Sequence, residues 1–473
     1  GGSGALKTRS RPGRARLPPN ARARRPSVRP PSAPASAPLS PHAPSGMAQL
    51  VGFDNFKRSN PRSDRFDVRR FDHVEFVCGD AATTAARLER ALGLHRTART
   101  CVATGNHDFS SYVLSSDDVH FIVTAPTSAS ETLKADTPSV TVSPARMHAF
   151  TQAHGLAVFA VGIEVADARV AFEAAVAGGA IPHAKPRWSP AEPDVVVSEV
   201  RLHADGDAVV RFLSGATAAR ARGLPFLPGY AAVEAPPAMA ARRPFTRVDH
   251  VVSNVPDLLA AINYVTAWSG FHEFAEFASA DVGTVDSGLN SMVLANNSEM
   301  VLMPFNEPTM GTRRKSQIQT FLDQHGGPGV QHIALKTDDV CATVAAMRAA
   351  HEEGGGLELM DRPRAAYYKE LKQRIGADAI SDDLAKRCEE LGILVDRDDQ
   401  GVLLQIFTKP LGDRATFFIE VIQRVGCDTD PETNARVEQL PGCGGFGKGN
   451  FTELFRAIEE YETRAGLNRI SGS

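Results

Sequence analysis

Two short stretches of sequence determine the fold: RFDHVEF at residues 70–76 and RVDHVV at residues 247–252. Each is an apolar, strand-like run that carries an Asp-His pair at the same place. Each is followed by a helix-like pattern, at residues 81–92 and 256–268. A long internal repeat of this kind indicates that one supersecondary unit has been used more than once.

A second pair of runs extends the repeat. GLAVFAVGI at residues 155–163 parallels GVQHIAL at residues 329–335, and helix-like patterns follow both. The spacing agrees, since 87 residues separate His73 from Ala160 and 82 separate His250 from His332. We therefore predict an α+β fold of two domains, each built from paired βαβββ units whose sheet forms an open barrel. This arrangement resembles the vicinal-oxygen-chelate superfamily, which implies a half-barrel around a metal.

Three residues of the second half have the chemistry of a metal site. His250 and His332 lie in the two runs above, and Glu420 lies in TFFIEVI at residues 416–422. Two imidazoles and one carboxylate form the facial triad that holds non-haem Fe(II) and leaves positions open. A lone His or Glu in a strand is more often a core or a surface residue. The equivalent positions of the two histidines in the repeat strengthen the metal interpretation, and a carboxylate between apolar neighbours needs a charge partner.

The first half differs at the equivalent positions. His73 is present, but Ala160 takes the place of His332, and Arg211 falls near the place of Glu420. Alanine offers no ligand and arginine repels a cation. We therefore expect the first half to be metal-free, with a structural or oligomerisation role.

Charge divides the chain into a basic tail and an acidic body. The 473 residues carry a formal net charge of −3, but the first 46 contain nine basic residues, ten prolines and no acid. The remaining residues have 43 basic and 55 acidic side chains, a net charge of −12. Such a tail cannot bury enough apolar surface to fold, and the acidic body argues against nucleic acid as a partner.

The composition shifts predict five segments. These are a disordered tail at 1–60, a metal-free domain at 61–225, a linker at 226–240, a catalytic domain at 241–440, and a glycine-rich hinge with a C-terminal lid helix at 441–473. We expect a cytoplasmic protein whose natural start is Met47. The alternative is a plastid protein in which residues 1–46 are a transit peptide, since such segments are rich in arginine and poor in acids.

Cysteine spacing and hydropathy add two expectations. The six cysteines show no metal-ligand or redox spacing, so reduced thiols are expected. No run has the apolar length of a membrane span, and no membrane partner is expected.

Five motifs in order give a more specific resemblance. They are SGLNS at 287–291, RKSQIQ at 314–319, ILVDRDDQG at 393–401, LQIFT at 404–408 and GCGGFGKGNF at 442–451. Together with the three ligands, they resemble the 4-hydroxyphenylpyruvate dioxygenase family, and its plant-type members in particular. The resemblance runs from about residue 66 to residue 467.

The resemblance implies a reaction and its requirements. It implies an Fe(II) enzyme that converts 4-hydroxyphenylpyruvate and O2 to homogentisate and CO2, a step of tyrosine catabolism. The 2-keto acid that chelates the metal would be part of the molecule that becomes hydroxylated. A homodimer formed largely through the first half is also implied.

The resemblance also implies residue roles. Ser291, Asn306 and Gln317 would orient the phenol end of the substrate, and Gln331 and Gln405 would be pocket amides near the metal. Phe407, Phe418 and Phe446 would form ring walls. Because strand alternation puts Phe418 on the same face as Glu420, Phe417 should face away.

The C-terminal segment is predicted to be a lid. Residues 442–449 lack the Gly-Lys-[Ser/Thr] ending of a phosphate loop and are interpreted as a flexible hinge. The apolar residues that follow recur at helical spacing. The predicted lid residues are Asn450, Phe451, Leu454 and Phe455. The charged, glycine-containing segment 350–376 is interpreted as a surface insertion.

Three alternatives remain open from sequence. Hydroxymandelate synthase chemistry would use the same metal and substrate with benzylic hydroxylation. An extradiol dioxygenase would need a further acid-base histidine, for which His272 and His325 have no supporting motif. A metal-free binding protein of the same fold is the third, and the intact triad argues against it.

Overall fold

The computed structural model describes residues 1–2, 50–52, 55–134, 139–234, 242–279, 288–309, 315–429, 433 and 435–467. Most of the predicted basic tail, residues 3–49, lies outside the described residues. So do residues 235–241 of the predicted linker region, and residues 280–287 and 310–314, which include parts of two motifs. Among the helices that are described, none combines the length and the apolar character of a membrane span.

The first half forms a nine-stranded sheet within the described residues, in the order β6-β7-β8-β5-β1-β4-β3-β2-β9. Its strands are β1 Val68–Val77, β2 His95–Thr100, β3 Phe109–Ser116, β4 Val119–Pro126, β5 Ala157–Val165, β6 Pro182–Ser189, β7 Glu192–Arg201, β8 Val209–Ser214 and β9 Ala231–Ala232.

The described part of the second half forms an eight-stranded sheet in the order β11-β12-β13-β10-β14-β17-β16-β15. Its strands are β10 Arg247–Asn254, β11 His272–Phe277, β12 Leu289–Ala295, β13 Leu302–Pro308, β14 Gly329–Lys336, β15 Leu394–Arg397, β16 Val402–Phe407 and β17 Phe418–Val425. Strands β1–β8 of the first half correspond in chain order to β10–β17 of the second. When the first sheet is read from its β2 end and β9 is left out, the two sheets have the same strand order. The predicted fold class of two vicinal-oxygen-chelate domains with a C-terminal helix is therefore confirmed.

Helices cover the sheets and close the chain. They are α1 Ala81–Leu92, α2 Pro144–His154, α3 Ala168–Ala177, α4 Ala216–Ala221, α5 Leu258–Ser269, α6 Gln317–His325, α7 Val340–Glu352, α8 Ala365–Lys369, α9 Leu371–Ile375, α10 Asp382–Leu391 and α11 Phe451–Ala465. The first helix of each βαβββ unit starts at an aspartate, whose carboxylate accepts from backbone N–H groups of the first turn. These four N-caps are Asp80, Asp167, Asp257 and Asp339.

One hydrophobic core joins the two halves. It includes Trp268 of α5, which is fully buried, and Phe212 of β8, whose ring centroid lies 6.1 Å from that of Trp268. Phe417 is buried against Phe76 of the first half, with ring centroids 5.1 Å apart. Phe417 therefore faces away from the pocket, as strand alternation predicts.

The structure corrects two expectations. Cys427 and Cys443 form a disulfide, whereas the sequence predicted six reduced thiols. Their separation of 16 residues gave no sign that the chain turns back on itself there. The segment 350–376 is not simply a surface insertion, because it contains α8 and α9 and buries Tyr367, Tyr368 and Leu371 in the core.

The domain boundaries stay predictions. The described strands of the first sheet run from residue 68 to 232, and those of the second from 247 to 425. Phe226, Leu227 and Tyr230, from the start of the predicted linker, are buried in a core cluster with residues of the first sheet.

Candidate metal centre and active site

Three adjacent strands bring the predicted ligands together. His250 lies on β10, His332 on β14 and Glu420 on β17, and β14 pairs with both of the other strands. The Oε2 atom of Glu420 lies 3.0 Å from Nε2 of His250 and 3.4 Å from Nε2 of His332. Within the described residues, these three are the group of His, Cys, Asp and Glu side chains close enough to hold one metal ion.

Outer contacts fix the orientation of both imidazoles. Nδ1 of His250 lies 2.9 Å from Oδ1 of Asp249, and Nδ1 of His332 lies 2.9 Å from Oε1 of Gln331. An oxygen acceptor at Nδ1 favours a proton there, so in the neutral ring Nε2, which faces Glu420, would carry the lone pair that a metal ion binds. Asp249 is held in turn by Arg424, which donates from Nη2 and Nε over 2.8 and 3.0 Å, and both side chains are fully buried.

The close contacts shift the pKa values of all three side chains. Burial opposes charge on His250, but the Glu420 and Asp249 carboxylates outweigh it and raise the pKa of His250 to about 9. Burial likewise opposes charge on Glu420, but His250 and the hydrogen bonds from both histidines lower its pKa to about 2. Burial lowers the pKa of His332. Without a metal, a proton on His250 balances Glu420, so metal binding would release a proton.

The three candidate ligands face a cavity whose empty space, including the part open to solvent, is about 630 Å³. The structure brings all eight predicted substrate residues into its lining: Ser291, Asn306, Gln317, Gln331, Gln405, Phe407, Phe418 and Phe446. The Phe418 ring stacks on His332 with centroids 4.8 Å apart, and the Phe446 ring meets His250 edge-on at 5.5 Å. Their individual roles stay predictions.

Polar groups cluster at one part of the cavity wall. Ser291 pairs with Asn306 across β12 and β13, and Asn306 pairs with Asn254 of β10. Nδ2 of Asn306 donates to Oδ1 of Asn254 over 3.2 Å. Asn254 lies four residues after His250 on one strand, which is roughly 13 Å. Oε1 of Gln317 is buried and has no hydrogen-bond partner among the residues that the structure describes, so a bound ligand with an O–H or N–H group could satisfy it.

The C-terminal helix α11 forms one wall. The predicted lid residues Phe451, Leu454 and Phe455 line the cavity, and their role as a lid stays a prediction. Asn450 does not line it, but it is buried at the start of the helix, and its Nδ2 donates to Oε1 of Gln405 over 3.1 Å. Nε2 of Gln405 donates to Oε1 of Glu420 over 3.1 Å, so a chain of hydrogen bonds joins the helix to a ligand.

A glycine of the hinge allows its backbone to approach the Gln405 side chain closely. Gly447 has φ +76°, and a Cβ atom there would lie 2.1 Å from Oε1 of Gln405. A side chain at residue 447 would therefore displace Gln405 from Glu420.

Sequence reasoning missed several lining residues. Apolar wall residues that it did not assign to the cavity are Val252, Phe277, Leu289, Val293, Pro304 and Ile458. Alternation would have found three of them, because Val252 lies two residues from His250, and Leu289 and Val293 each lie two residues from Ser291. Nothing in the sequence indicated Phe277. His272 and His325 lie outside the lining, in contact with Glu299 and Gly327 respectively.

The equivalent place in the first half contains an ion cluster. Arg211 lies opposite Gly162 on β5, as Glu420 lies opposite Ala334 on β14. Its guanidinium lies 2.6 Å from Glu75 and 2.7 Å from Glu199, and Nη1 lies 3.0 Å from Nε2 of His73. The chain thus supplies a cation of its own at this position.

Fold and site define the class of protein. The described geometry is that of a half-barrel with a His-His-Glu site, and residues 247–405 match the Glyoxalase/Bleomycin resistance protein/Dioxygenase superfamily. A mutant of 4-hydroxymandelate synthase from Streptomyces coelicolor has a similar structure, with a TM-score of 0.64 and 25% identity over 84% of this chain and 99% of that one.

Closer relatives identify the family within this class. The chain is 50% identical to 4-hydroxyphenylpyruvate dioxygenase of Daucus carota, over 90% of this chain and 94% of the relative. It is 50% identical to that of Arabidopsis thaliana, over 90% and 95%, and 35% identical to that of Pyricularia oryzae, over 84% and 91%. The chain belongs to the 4-hydroxyphenylpyruvate dioxygenase family.

Proposed function

We propose that this protein is an Fe(II)-dependent dioxygenase that converts 4-hydroxyphenylpyruvate and O2 to homogentisate and CO2. The observation that carries the proposal is the convergence of His250, His332 and Glu420 at one wall of a largely apolar cavity, in a chain of this family. An apolar pocket with a few placed polar groups is the usual form of a small-molecule site.

Fe(II) is the metal that the donor set fits. Two imidazole nitrogens and one carboxylate oxygen form the facial triad of non-haem Fe(II) oxygenases. The fit is supported by Asp249 and Gln331, which hold both rings with Nε2 facing Glu420. When bound, Fe(II) supplies the oxygen chemistry that no side chain provides.

The side chains bind and aim the substrate. Phe418 and Phe446, whose rings adjoin His332 and His250, would hold the aromatic ring of the substrate between them. Offset and edge-on contacts with a flat ring favour this arrangement. The phenol hydroxyl would donate to the buried Oε1 of Gln317, with Ser291 and Asn306 nearby in the lining.

Helix α11 excludes water. Phe455 is fully buried in a cluster with residues of β11, β12 and α6, so the helix closes the cavity through apolar contacts. Exclusion of water protects reactive intermediates from side reactions. Asn450 and Gln405 connect this closure to Glu420, so the lid and the metal ligands are positioned together.

Product identification tests the proposal. The purified chain, loaded with Fe(II), is incubated in air with 4-hydroxyphenylpyruvate, and the product is identified by chromatography and mass spectrometry. Homogentisate with one CO2 per turnover is expected, and 4-hydroxymandelate or no turnover would contradict the proposal. The variants His250→Ala, His332→Ala and Glu420→Ala should each abolish turnover while remaining folded. His351→Ala is the matched control, because His351 is an exposed histidine on α7.

We also propose that the protein is a homodimer formed through the first half. The large apolar side chains exposed in the described part of the first half include Val170, Val176, Ile181 and Trp188. They lie on or beside α3 and the edge strand β6, which are in contact through Arg169, whose guanidinium lies 4.9 Å from the Trp188 ring. Exposed apolar patches and sheet edges are typical of protein interfaces. Light scattering should give a dimer mass for the wild type and a monomer mass for Trp188→Glu with Val170→Glu.

A further inference from the structure

The disulfide Cys427–Cys443 links the end of β17 to the glycine-rich hinge, residues 442–449. Cys427 lies two residues after the end of β17, the strand that carries Glu420. Cys443 lies in the glycine-rich segment, three residues before Phe446 of the cavity wall. The bond therefore fixes the start of the lid segment to the strand that holds a metal ligand.

The packing around the disulfide leaves just enough room for its two sulfur atoms. Both cysteines are buried. A Cβ atom at Gly401 would lie 2.5 Å from Sγ of Cys427 and 2.6 Å from Sγ of Cys443. The absence of a side chain at Gly401, in the turn before β16, thus provides the space that the sulfur pair occupies.

Hydrogen bonds connect this bond to the metal site. Nη1 of Arg424 donates to the backbone oxygen of Cys443 over 2.5 Å and to that of Gly445 over 2.8 Å. The same guanidinium pairs with Asp249, which holds the His250 ring. The hinge backbone and the orientation of a metal ligand therefore share one arginine.

An outer cavity lies beside the buried pair. Gly442 and Gly444, on either side of Cys443, line an outer cavity of about 1800 Å³ that also shares Phe446 with the catalytic cavity. Disulfide exchange requires a thiolate to reach one sulfur. A small movement of these glycines would expose Cys443 to that cavity.

We propose that Cys427 and Cys443 are a thiol–disulfide exchange site whose substrate is a dithiol, and that the oxidised state holds the lid segment closed. A thiolate of the dithiol attacks one sulfur, and its second thiol completes the exchange. The Cys427–Cys443 bond breaks, both cysteines become thiols, and the dithiol is oxidised to a disulfide with the loss of two electrons and two protons. Reduction removes the covalent link between residues 440–449 and β17, leaves hydrogen bonds such as those of Arg424 to hold the segment, and so loosens Phe446 and the start of α11.

Thiol counting and hydrogen exchange on the full chain test this without reference to activity. After aerobic purification, four thiols should react under denaturing conditions, those of Cys78, Cys101, Cys341 and Cys388. Treatment of the folded chain with dithiothreitol, or with a Cys-x-x-Cys protein dithiol at micromolar concentration, should give six. Reduction by the protein dithiol alone at equal concentration would assign a protein reductant, and equal reduction by both would assign a small thiol. Amide exchange of residues 443–447 should accelerate at least tenfold on reduction.

Cysteine variants distinguish the effect of breaking the Cys427–Cys443 bond from other effects of the reductant on the chain. Cys443→Ser and Cys427→Ser should each show the fast exchange of the reduced chain and no response to dithiol, and two variants are used in case one fails to fold. Cys101→Ser, which removes one of the free cysteines, should keep the response. Six reactive thiols that persist after treatment with oxidised glutathione would overturn the proposal. So would a bond that neither dithiol reduces in the folded chain, or unchanged exchange at residues 443–447 after reduction.

Discussion

The substitution Asp249→Asn tests how the second half prepares its metal ligand. The Asp249 carboxylate accepts from Nδ1 of His250 and forms two hydrogen bonds with Arg424. Asparagine keeps the size and shape of the side chain but removes the charge and presents an NH2 group to one of these donors. The substitution should therefore weaken the orientation of His250 and leave the buried Arg424 without its charge partner.

Two magnitudes follow from these contacts. Loss of an outer-shell partner of a ligating histidine weakens metal binding by roughly 10- to 100-fold. Loss of one partner of a buried ion pair costs about 3–5 kcal/mol of folding stability. The upper part of that range applies here, because Asp249 and Arg424 have fully buried side chains.

The internal repeat offers a matched control in Asp72→Asn. Oδ1 of Asp72 lies 2.7 Å from Nδ1 of His73, and Asp72 pairs with Arg220, whose side chain is 18% exposed. This substitution breaks the same aspartate–histidine and aspartate–arginine contacts in the first half, where the His-His-Glu triad is absent from the equivalent positions. It should lower stability by less and leave the affinity for Fe(II) unchanged.

The assay measures metal affinity and stability separately. Fe(II) affinity is determined anaerobically by competition with a chelator, and stability by urea unfolding of the metal-free chain. Wild-type affinity in Asp249→Asn, or an equal loss of affinity in Asp72→Asn, would refute the reasoning.

Three further predictions concern the lid and the first half. Burial raises the pKa of Glu462 on α11 to about 7, so the folded chain binds this proton more tightly than the unfolded chain does, and its stability falls as the pH rises from about 4.5 to about 7. Glu462→Gln should therefore stabilise the chain by up to about 3 kcal/mol at pH 8 and little at pH 5, as measured by urea unfolding at both pH values. Deletion of residues 450–473 should retain Fe(II) binding but lower the homogentisate formed per O2 consumed, and an unchanged ratio at a normal rate would show that α11 only packs. Arg211→Met should destabilise the chain by about 3–5 kcal/mol, because Glu75 and Glu199 lose their cation, while Fe(II) bound per folded molecule stays the same.

The repeat and strand alternation made much of the fold and site predictable. The paired runs around His73 and His250 gave the two sheets, because residues that recur at equivalent places occupy equivalent strands. The two-residue period placed Phe418 with Glu420 in the cavity and Phe417 in the core. Local sequence patterns are enough to predict the position of a side chain when that position depends only on which face of a strand the side chain occupies.

Contacts between segments that are distant in the sequence could not be predicted from such local patterns. Arg424 pairs with Asp249 across 175 residues, and neither residue carries a local signal of the other. The disulfide was missed because it depends on the path of the glycine-rich segment. Tyr367 was assigned to a surface insertion, yet its hydroxyl donates to Oδ1 of Asn450 over 2.7 Å at the start of α11. Each of these contacts requires the tertiary arrangement of the sheets before it can be inferred.

The two halves show how one scaffold position serves two chemistries. In the first half, Glu75 lies opposite Ala160, and Glu199 lies opposite Arg211. In the second half, the corresponding pairs are Val252 with His332 and Phe407 with Glu420.

Exchange of these residues converts an ion cluster into a ligand site. Where Arg211 stands, two carboxylates neutralise it and the interior is filled by charged side chains of the chain itself. Where Glu420 stands, those carboxylates are replaced by Val252 and Phe407, both of which line the cavity, and His332 adds a second imidazole. Because a buried carboxylate needs a charge partner, a proton on His250 or a metal ion at the three side chains would supply in the second half the charge that Arg211 supplies in the first. The apolar replacements leave an open space beside Glu420.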